Sequence, residues 1–401
     1  PLFADAANHD FRLRKGSPAA AMGAAAKPIG ALPLADAAPL RLPPAVAGAL
    51  DRKAPAPAAD EPAAIAPTFI PRSGPPRAWH VDPLRGRDDA ARGDEQQPLK
   101  SLQVALNHAN PGDRVVLLPG IYFGPHVLNH GGTRTAPIVI EASPAGEAVL
   151  DGKKLYDEAN LTLDNAPNVI LKGLEIRWFK ETGLFVRNSP DVQVLECLFW
   201  NNDWSTGRRI GAAVSVQDSR GLTLDRCVLY ALDRGITLVR SPAFRITRNT
   251  MTMCLHRGLW LIDSVAGSVL RNNSVTFTGN ENISVRASPE ELAAFDSDYN
   301  NFAAHVRQIS ERRPPPEEDL KPEPGDFFFG KEAKGVAELN SERLFSLREW
   351  QEKTGKDTHS IFKHPRYADP RQRDFRLRPD SPNLGAGENG TTIGALGPAN
   401  R

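Results

Sequence analysis

Between residues 160 and 286 the chain repeats one short alternation of apolar and polar positions. LTLDNAP starts at 161, LFVRNSP at 184, VSVQDSR at 214, ITLVRSP at 236, LWLIDSV at 259 and ISVRASP at 283, at spacings of 23, 30, 22, 23 and 24 residues. Alternation with a period of two predicts short strands with one buried face. Each unit carries a second alternating stretch a few residues later: NVILKGLEI, DVQVLECLF, GLTLDRCVL, AFRITRNTM and GSVLRNNSV. Two or three short strands in each repeat of this length predict a right-handed parallel β-helix, in which every coil hydrogen-bonds to the coils above and below. A single coil cannot bury its apolar face, whereas a stack can. The alternation turns Leu161 and Leu163, Leu184 and Val186, Val214 and Val216, Ile236 and Leu238, Leu259 and Leu261, and Ile283 and Val285 inward as ladders along one core. At matching positions of the second stretch stand Cys197, Cys227, Asn249 and Asn273, a column of small and polar side chains suited to a tight interior turn. A leucine-rich repeat would show LxxLxLxxN and a helical half, and a sandwich would not hold one register over six units.

The flanks read differently. Leu102, Ala105, Leu106 and Ala109 are spaced for a short helix, which Pro111 and Gly112 turn into a strand at Val115 to Leu118. Ser346 and Glu349 form a capping box opening a helix that Gly355 ends, with Trp350 as packing. Residues 35–77 are rich in Ala and Pro without apolar periodicity, the composition of a linker. RRPPPEEDLKPEPGD, at 312–326, reads as an exposed excursion. Residues 1–32 align without a gap, at an offset of 364, on residues 365–396. Asp5, Asp10, Phe11, Arg12, Leu13, Ser17 and Pro18 recur as Asp369, Asp374, Phe375, Arg376, Leu377, Ser381 and Pro382. Because the second copy closes a domain, the expected organisation is a remnant of a preceding similar domain at 1–34, a linker at 35–77 and the β-helix at 78–398, in a longer tandem chain.

Composition narrows the classes of partner. Of 401 residues, 49 are Lys or Arg and 48 are Asp or Glu, so a polycation built for duplex nucleic acid is not expected. No window holds about eighteen uninterrupted apolar residues, the length of a membrane-spanning helix. The 3 cysteines lack zinc-ligand spacing and read as buried thiols.

PLKSLQVALNHANPGDRVVLLPGIY at 98–122, SDYNNF at 297–302, SLREWQEKTGKDTHS at 346–360 and DFRLRPDSPNLGAG at 374–387 resemble the pectin-lyase-like right-handed parallel β-helix proteins of bacteria. The resemblance covers about residues 78 to 398 and implies an all-β, single-stranded solenoid with short helical caps. That superfamily holds polysaccharide lyases, glycoside hydrolases, uronate epimerases and members without assigned activity, so it implies the fold more firmly than a reaction. It also implies an extracytoplasmic location. No calcium-binding carboxylate cluster and no Asp-Pro-His-Asp motif is present, so no cofactor is expected, and a calcium ion has no motif to support it.

In such folds the outward side of the first strand and the turn before it line a groove. Outward positions are Phe185, Ser215, Thr237, Trp260 and Ser284, then Arg187, Gln217, Val239, Ile262 and Arg286. Before the strand come Glu181, Asp233, His256 and Asn280, then Thr182, Arg234, Arg257 and Glu281. With coils about 4.8 Å apart, Asp233 is expected beside His256 and Arg234 beside Arg257. A carboxylate beside an imidazole suits proton transfer, and paired guanidinium groups suit a uronate. Asp233, His256, Arg234 and Arg257 are therefore the catalytic candidates. Trp260, Arg187, Arg286, Glu281 and the longer turn with Trp204, Arg208 and Arg209 are the substrate-binding candidates, Trp260 as a sugar-stacking platform. The expected function is β-elimination on an anionic polysaccharide. A hydrolase pairing Asp233 with Glu181 or Glu281 and a non-catalytic carbohydrate-binding surface module are the alternatives. Asp296 and Asp298 read as backbone-capping turn residues rather than cation ligands.

Overall fold

The computed structural model describes residues 3–5, 10–13, 65–89, 93–152, 159–179, 181–200, 211–305, 327–330 and 343–398. Two compact units emerge, Pro1–Ala63 and Ala64–Arg401.

The larger unit is a parallel β-solenoid of about seven turns with three sheets. Sheet I stacks Leu161–Asp164, Thr182–Arg187, Ala212–Gln217, the second halves of Val228–Val239 and Thr250–Ile262, then Ile283–Arg286. Sheet II stacks Ala148–Asp151, Glu175–Arg177, Leu198–Trp200, the first halves of Val228–Val239 and Thr250–Ile262, then Ser274–Thr278 and Asn301–His305. Sheet III runs in parallel order from Ala78–Val81 to Asp296–Asp298 through nine strands. The register is the one the spacing predicts: Leu184 pairs with Val214, Ile236 with Leu259, and Leu259 with Ile283. All the inward ladder residues are fully buried.

Corners are turned by one or two residues in the left-handed backbone region, as at Asn188 and Asp191 or Arg240 and Ala243 between sheets I and III, rather than by long loops. Asn165, Asn188, Asp218, Arg240 and Asp263 turn sheet I into sheet III, Glu196, Arg226, Arg248 and Asn272 turn sheet III into sheet II, and Ala231, Met253 and Phe277 turn sheet II into sheet I. Backbone groups freed at these kinks are satisfied by side-chain columns. The Ser219 N–H donates to the Ser241 Oγ at 3.1 Å and the Ser241 N–H to the Ser264 Oγ at 3.0 Å. In the second column, the Cys227 N–H donates to the Asn249 Oδ1 at 2.8 Å, the Asn249 N–H to the Asn273 Oδ1 at 3.0 Å, and the Asn273 N–H to the Asn300 Oδ1 at 2.9 Å. Cys197, Cys227, Asn249 and Asn273 thus act structurally, as their alignment suggests.

Both ends are closed. At the front lies the helix Leu102–His108. Residues of the Ala/Pro-rich segment run along it: the Ile70 N–H donates to the Asn107 carbonyl at 2.7 Å, and Arg72 reaches the buried Asp113 at 2.8 Å. Ordered contact with the domain therefore begins before residue 78. At the back, the capping-box helix Leu347–Thr354 ends at Gly355, which takes a left-handed φ of 67°. The buried carboxylate of Asp357 accepts from Ser297, Asn300, Ser360 and the Trp350 Nε1. Those donors terminate the asparagine column. An antiparallel ribbon, Tyr367–Asp369 with Asp374–Leu377, then lies against the outer side of sheet II, where Phe375 meets Tyr230 at 4.9 Å between ring centroids.

In the smaller unit, Phe3–Asp5 pairs antiparallel with Asp10–Leu13. Its register, Phe3 with Leu13 and Asp5 with Asp10, repeats that of Tyr367 with Leu377 and Asp369 with Asp374, irregularity included.

Candidate functional site

Two long strands, Val228–Val239 and Thr250–Ile262, pass from sheet II into sheet I side by side. Their pairing slips between Leu232 and Arg234, and two residues, Leu255 and His256, stand opposite Asp233. A bulge re-aims the side chains it carries, and here it brings Asp233 and His256 together. Immediately after it, Gly235 and Gly258 leave no room for a side chain. A Cβ on Gly235 would lie 2.5 Å from the Gly258 carbonyl oxygen, and one on Gly258 would lie 2.4 Å from Val275 Cγ1. Close packing at these glycines fixes the backbone that carries the neighbouring charged residues.

Asp233 is 1% exposed. Its Oδ1 accepts from the Nδ1 of His256, and its Oδ2 accepts from the Nε of Arg234 at 3.1 Å. A carboxylate offers only acceptors, so the neutral His256 ring carries its proton on Nδ1 and leaves the Nε2 lone pair free. The imidazole side chain is 48% exposed. One coil further, the Nε of Arg257 lies 2.7 Å from the Glu281 Oε2, and its Nη2 donates to the Oε1 at 3.5 Å. The proximal contact is close yet poorly directed for a hydrogen bond, so this pair is an ion contact more than a fork.

Trp260 sits beside these groups. The guanidinium carbons of Arg234 and Arg257 are each 5.2 Å from its ring centroid, and that of Arg286 is 5.9 Å away. The Trp260 Nε1 and the Thr237 Oγ1, neighbours in register, have no hydrogen-bond partner among the described residues. Three guanidinium groups thus surround the ring, of which Arg234 and Arg257 are already paired with Asp233 and Glu281.

Trp260 continues an outward column: Val127, Thr162, Phe185, Ser215, Thr237, Trp260 and Ser284 pair in succession. Near its front end opens a cleft of about 470 Å³ lined by Pro125, Val127, Ala159, Thr162, Glu181, Thr182 and Phe185. From Phe185 to Trp260 is three coils, about 14 Å. The cleft and the Asp233–His256 pair therefore share one face.

Several sequence expectations change here. The sugar platform expected of Trp260 is altered, because guanidinium groups lie over its ring. Arg187 forks onto Asp164 of the preceding coil at 2.6 and 3.1 Å and is held on the strand surface. Thr237 and Ser284 are buried despite pointing outward. Glu281 partners Arg257. Trp204, Arg208 and Arg209 lie outside the described residues. Asp296 accepts from Arg271, and Asp298 from His359 and the Tyr299 N–H. Beneath the site, burial and the charge of Asp233 push the Cys254 thiol up, which keeps it protonated.

Of the cleft lining, Glu181, Thr182 and Phe185 were among the expected groove positions, whereas Pro125, Val127, Ala159 and Thr162 and the fork-like Arg–Asp pairs between neighbouring coils were missed. Arg240 binds Asp218 at 2.7 and 2.8 Å, and Arg248 binds Asp225 at 2.6 and 2.8 Å. Their signal was present as an Asp followed 22 or 23 residues later by an Arg.

A family model described as the right-handed β-helix region matches residues 142–291. A curated relative, the pectate lyase PEL9 of Emericella nidulans, is 31% identical over 110 residues, which are 26% of this chain and 27% of the relative. The match thus spans about a quarter of that protein's length. Similar solved structures include a GH136 lacto-N-biosidase from Eubacterium ramulus, at TM-score 0.41 and 14% identity over 50% of this chain and 45% of that one. The pectate lyase Pel9A compares at TM-score 0.39 and 15% identity, over 80% and 96% of the two chains. The three parallel sheets agree with that family model, which describes the stretch at 142–291 as a right-handed β-helix region.

Proposed function

We propose that the outer face of sheet I processes an acidic polysaccharide outside the cytoplasm by β-elimination. The observation that carries this reading is the buried Asp233 holding the Nδ1 side of a half-exposed His256 beside Arg234 and Arg257. In the neutral ring, Nε2 is the free base. The arginines supply positive charge for the carboxylate attached to C5, which acidifies the C5 proton. His256 Nε2 takes that proton, the released electron pair forms the C4–C5 double bond, and the C4–O bond breaks. The departing oxygen then gains a proton from the imidazolium or from water. Arg257 must loosen its contact with Glu281, or share it, when the carboxylate arrives.

The buried position of Asp233 weighs against the paired-carboxylate alternative, since an acid in a hydrolase must reach a glycosidic oxygen or a water. Asp233 instead has both oxygens occupied by His256 and Arg234. Its role in this reading is to position the imidazole.

The test is a panel of polyuronates and neutral polysaccharides assayed for both ultraviolet-absorbing unsaturated ends and new reducing ends. β-Elimination yields both signals on polyuronates. Reducing ends without absorbance would make the protein a hydrolase, and binding without either signal would make it a carbohydrate-binding module.

A further inference from the structure

Beside the outward column that holds Trp260 runs a second one, formed by the residues that lead into the strands of sheet I. Thr182, Ala212, Arg234 and Arg257 pair in succession. Because Leu259 pairs with Ile283, Glu281 follows at the matching position of the next coil. Two guanidinium groups thus stand in line, and one carboxylate closes the row.

The two acids that touch these arginines are held differently. Asp233 is 1% exposed, and its two oxygens accept from His256 and Arg234. Glu281 keeps 12% of its side chain exposed, and its contact with Arg257 is short at Nε, 2.7 Å, yet directed only at Nη2, 3.5 Å. Neither the Arg257 Nε nor the Glu281 Oε2 has a well-directed hydrogen-bond partner among the described residues, although both atoms are buried. A guanidinium binds a carboxylate best through two parallel bonds, and this pair lacks one of them. The backbone, by contrast, is fixed. The Gly258 N–H donates to the Glu281 carbonyl at 3.2 Å, the Leu259 N–H donates to the Asn282 carbonyl at 3.0 Å, and the buried Asn282 accepts from the Thr278 hydroxyl at 3.0 Å. Only the side chain of Glu281 is free to leave, and its carboxylate regains water when it does.

We propose that Glu281 is an internal competitor for substrate: it rests on Arg257 where the carboxylate of an acidic sugar binds, and it is displaced when that sugar is held. The inference rests on the polyuronate reading above and adds to it a residue that sets affinity and specificity without entering the chemistry. An incoming carboxylate that forms the full fork replaces a contact that does not. A neutral sugar or a methyl ester brings no charge with which to displace Glu281, so the site selects chains whose uronate carboxylate is free.

Titration calorimetry tests this in the full chain carrying His256→Gln, so that the probe is not consumed. The probes are the tetramers of galacturonate, mannuronate and guluronate, each as free acid and as methyl ester. The free-acid tetramer that binds is expected to gain about tenfold in affinity on Glu281→Gln. Glu281→Asp keeps the charge but, one methylene shorter, withdraws from Arg257, and is expected to gain about threefold. The matching methyl ester should gain less than about twofold from either change. Equal affinity of Glu281→Gln and its parent for the free acid overturns the inference and leaves the β-elimination reading standing. A gain confined to Glu281→Gln, or shared equally by the methyl ester, overturns it as well, since the effect is then not displacement by a carboxylate. If neither parent nor variants bind any tetramer, the polyuronate reading falls and the inference falls with it.

Discussion

Asp233 and His256 lie 23 residues apart in sequence and one coil apart in space, and the Asp233 carboxylate holds the imidazole by Nδ1. Counting back by one residue from the paired Arg234 and Arg257 sets Asp233 beside His256. Opposite Asp233 the partner strand carries two residues, Leu255 and His256. Parallel stacking supplies the proximity and the bulge supplies the aim. Removing the charge while keeping the shape is therefore the first informative change. Asp233→Asn can present its amide N–H to Nδ1 and select the opposite tautomer. A fall in kcat on the order of 10³ to 10⁴ is expected with KM little changed, by analogy with the same change in catalytic triads. Steady-state kinetics on the polyuronate that gives product in the panel checks this.

Gly258→Ala is expected to lower stability by about 3 kcal/mol, because overpacking of a filled core is costly. Its Cβ would lie 2.4 Å from Val275 Cγ1 and 2.6 Å from the Asn282 carbonyl oxygen. At Gly267 a Cβ would meet nothing within 4 Å, and the φ of 64° is the only obstacle, so Gly267→Ala should cost about 1 to 2 kcal/mol. Urea unfolding of the two variants separates crowding from backbone strain.

The asparagine column should be intolerant of truncation. Asn273 accepts from the Asn249 N–H and donates to the carbonyls of Ile246 at 2.9 Å and Arg271 at 3.0 Å. Asn273→Ala strands these buried groups, each worth about 1 to 3 kcal/mol when left unsatisfied. A total loss of about 3 kcal/mol is expected by denaturant titration, with an unchanged m-value.

Acid lability is expected at the front of the solenoid. Burial pushes the His126 imidazole down to about 4, against a smaller opposing effect of the Tyr122 backbone. His108 and His130 are lowered as well, both chiefly by burial. A lowered histidine binds its proton more readily unfolded than folded, so stability is intact above the unfolded value of 6.5 and declines as pH falls toward 4. For His126 the whole interval corresponds to about 3 kcal/mol. Melting temperatures between pH 4 and 7 should fall with acid in the parent and fall less in His126→Leu.

Much of this was legible from spacing alone. Ile236 and Leu259 pair as their separation implies, and so do Arg234 and Arg257. Period-two alternation fixes which side of a strand a residue occupies, and that sufficed for the core ladders and for bringing Asp233 to His256. It does not fix where a long flexible side chain ends. Arg187, outward as expected, bends one coil back onto Asp164. Trp260, also outward, gathers Arg234, Arg257 and Arg286 instead of standing open. The docking of Ile70 and Arg72 onto the front helix was hidden because their surroundings have linker composition, and two polar anchors, Asn107 and Asp113, hold the segment without any apolar period.

Long-range ¹⁵N–¹H correlation spectra of the histidine rings read whether Asp233 leaves His256 with a free Nε2 lone pair. Comparison with His256→Gln assigns the His256 signals. The neutral His256 ring is expected to carry its proton on Nδ1 and to lose that preference in Asp233→Asn. A neutral ring protonated on Nε2 in the parent would contradict it.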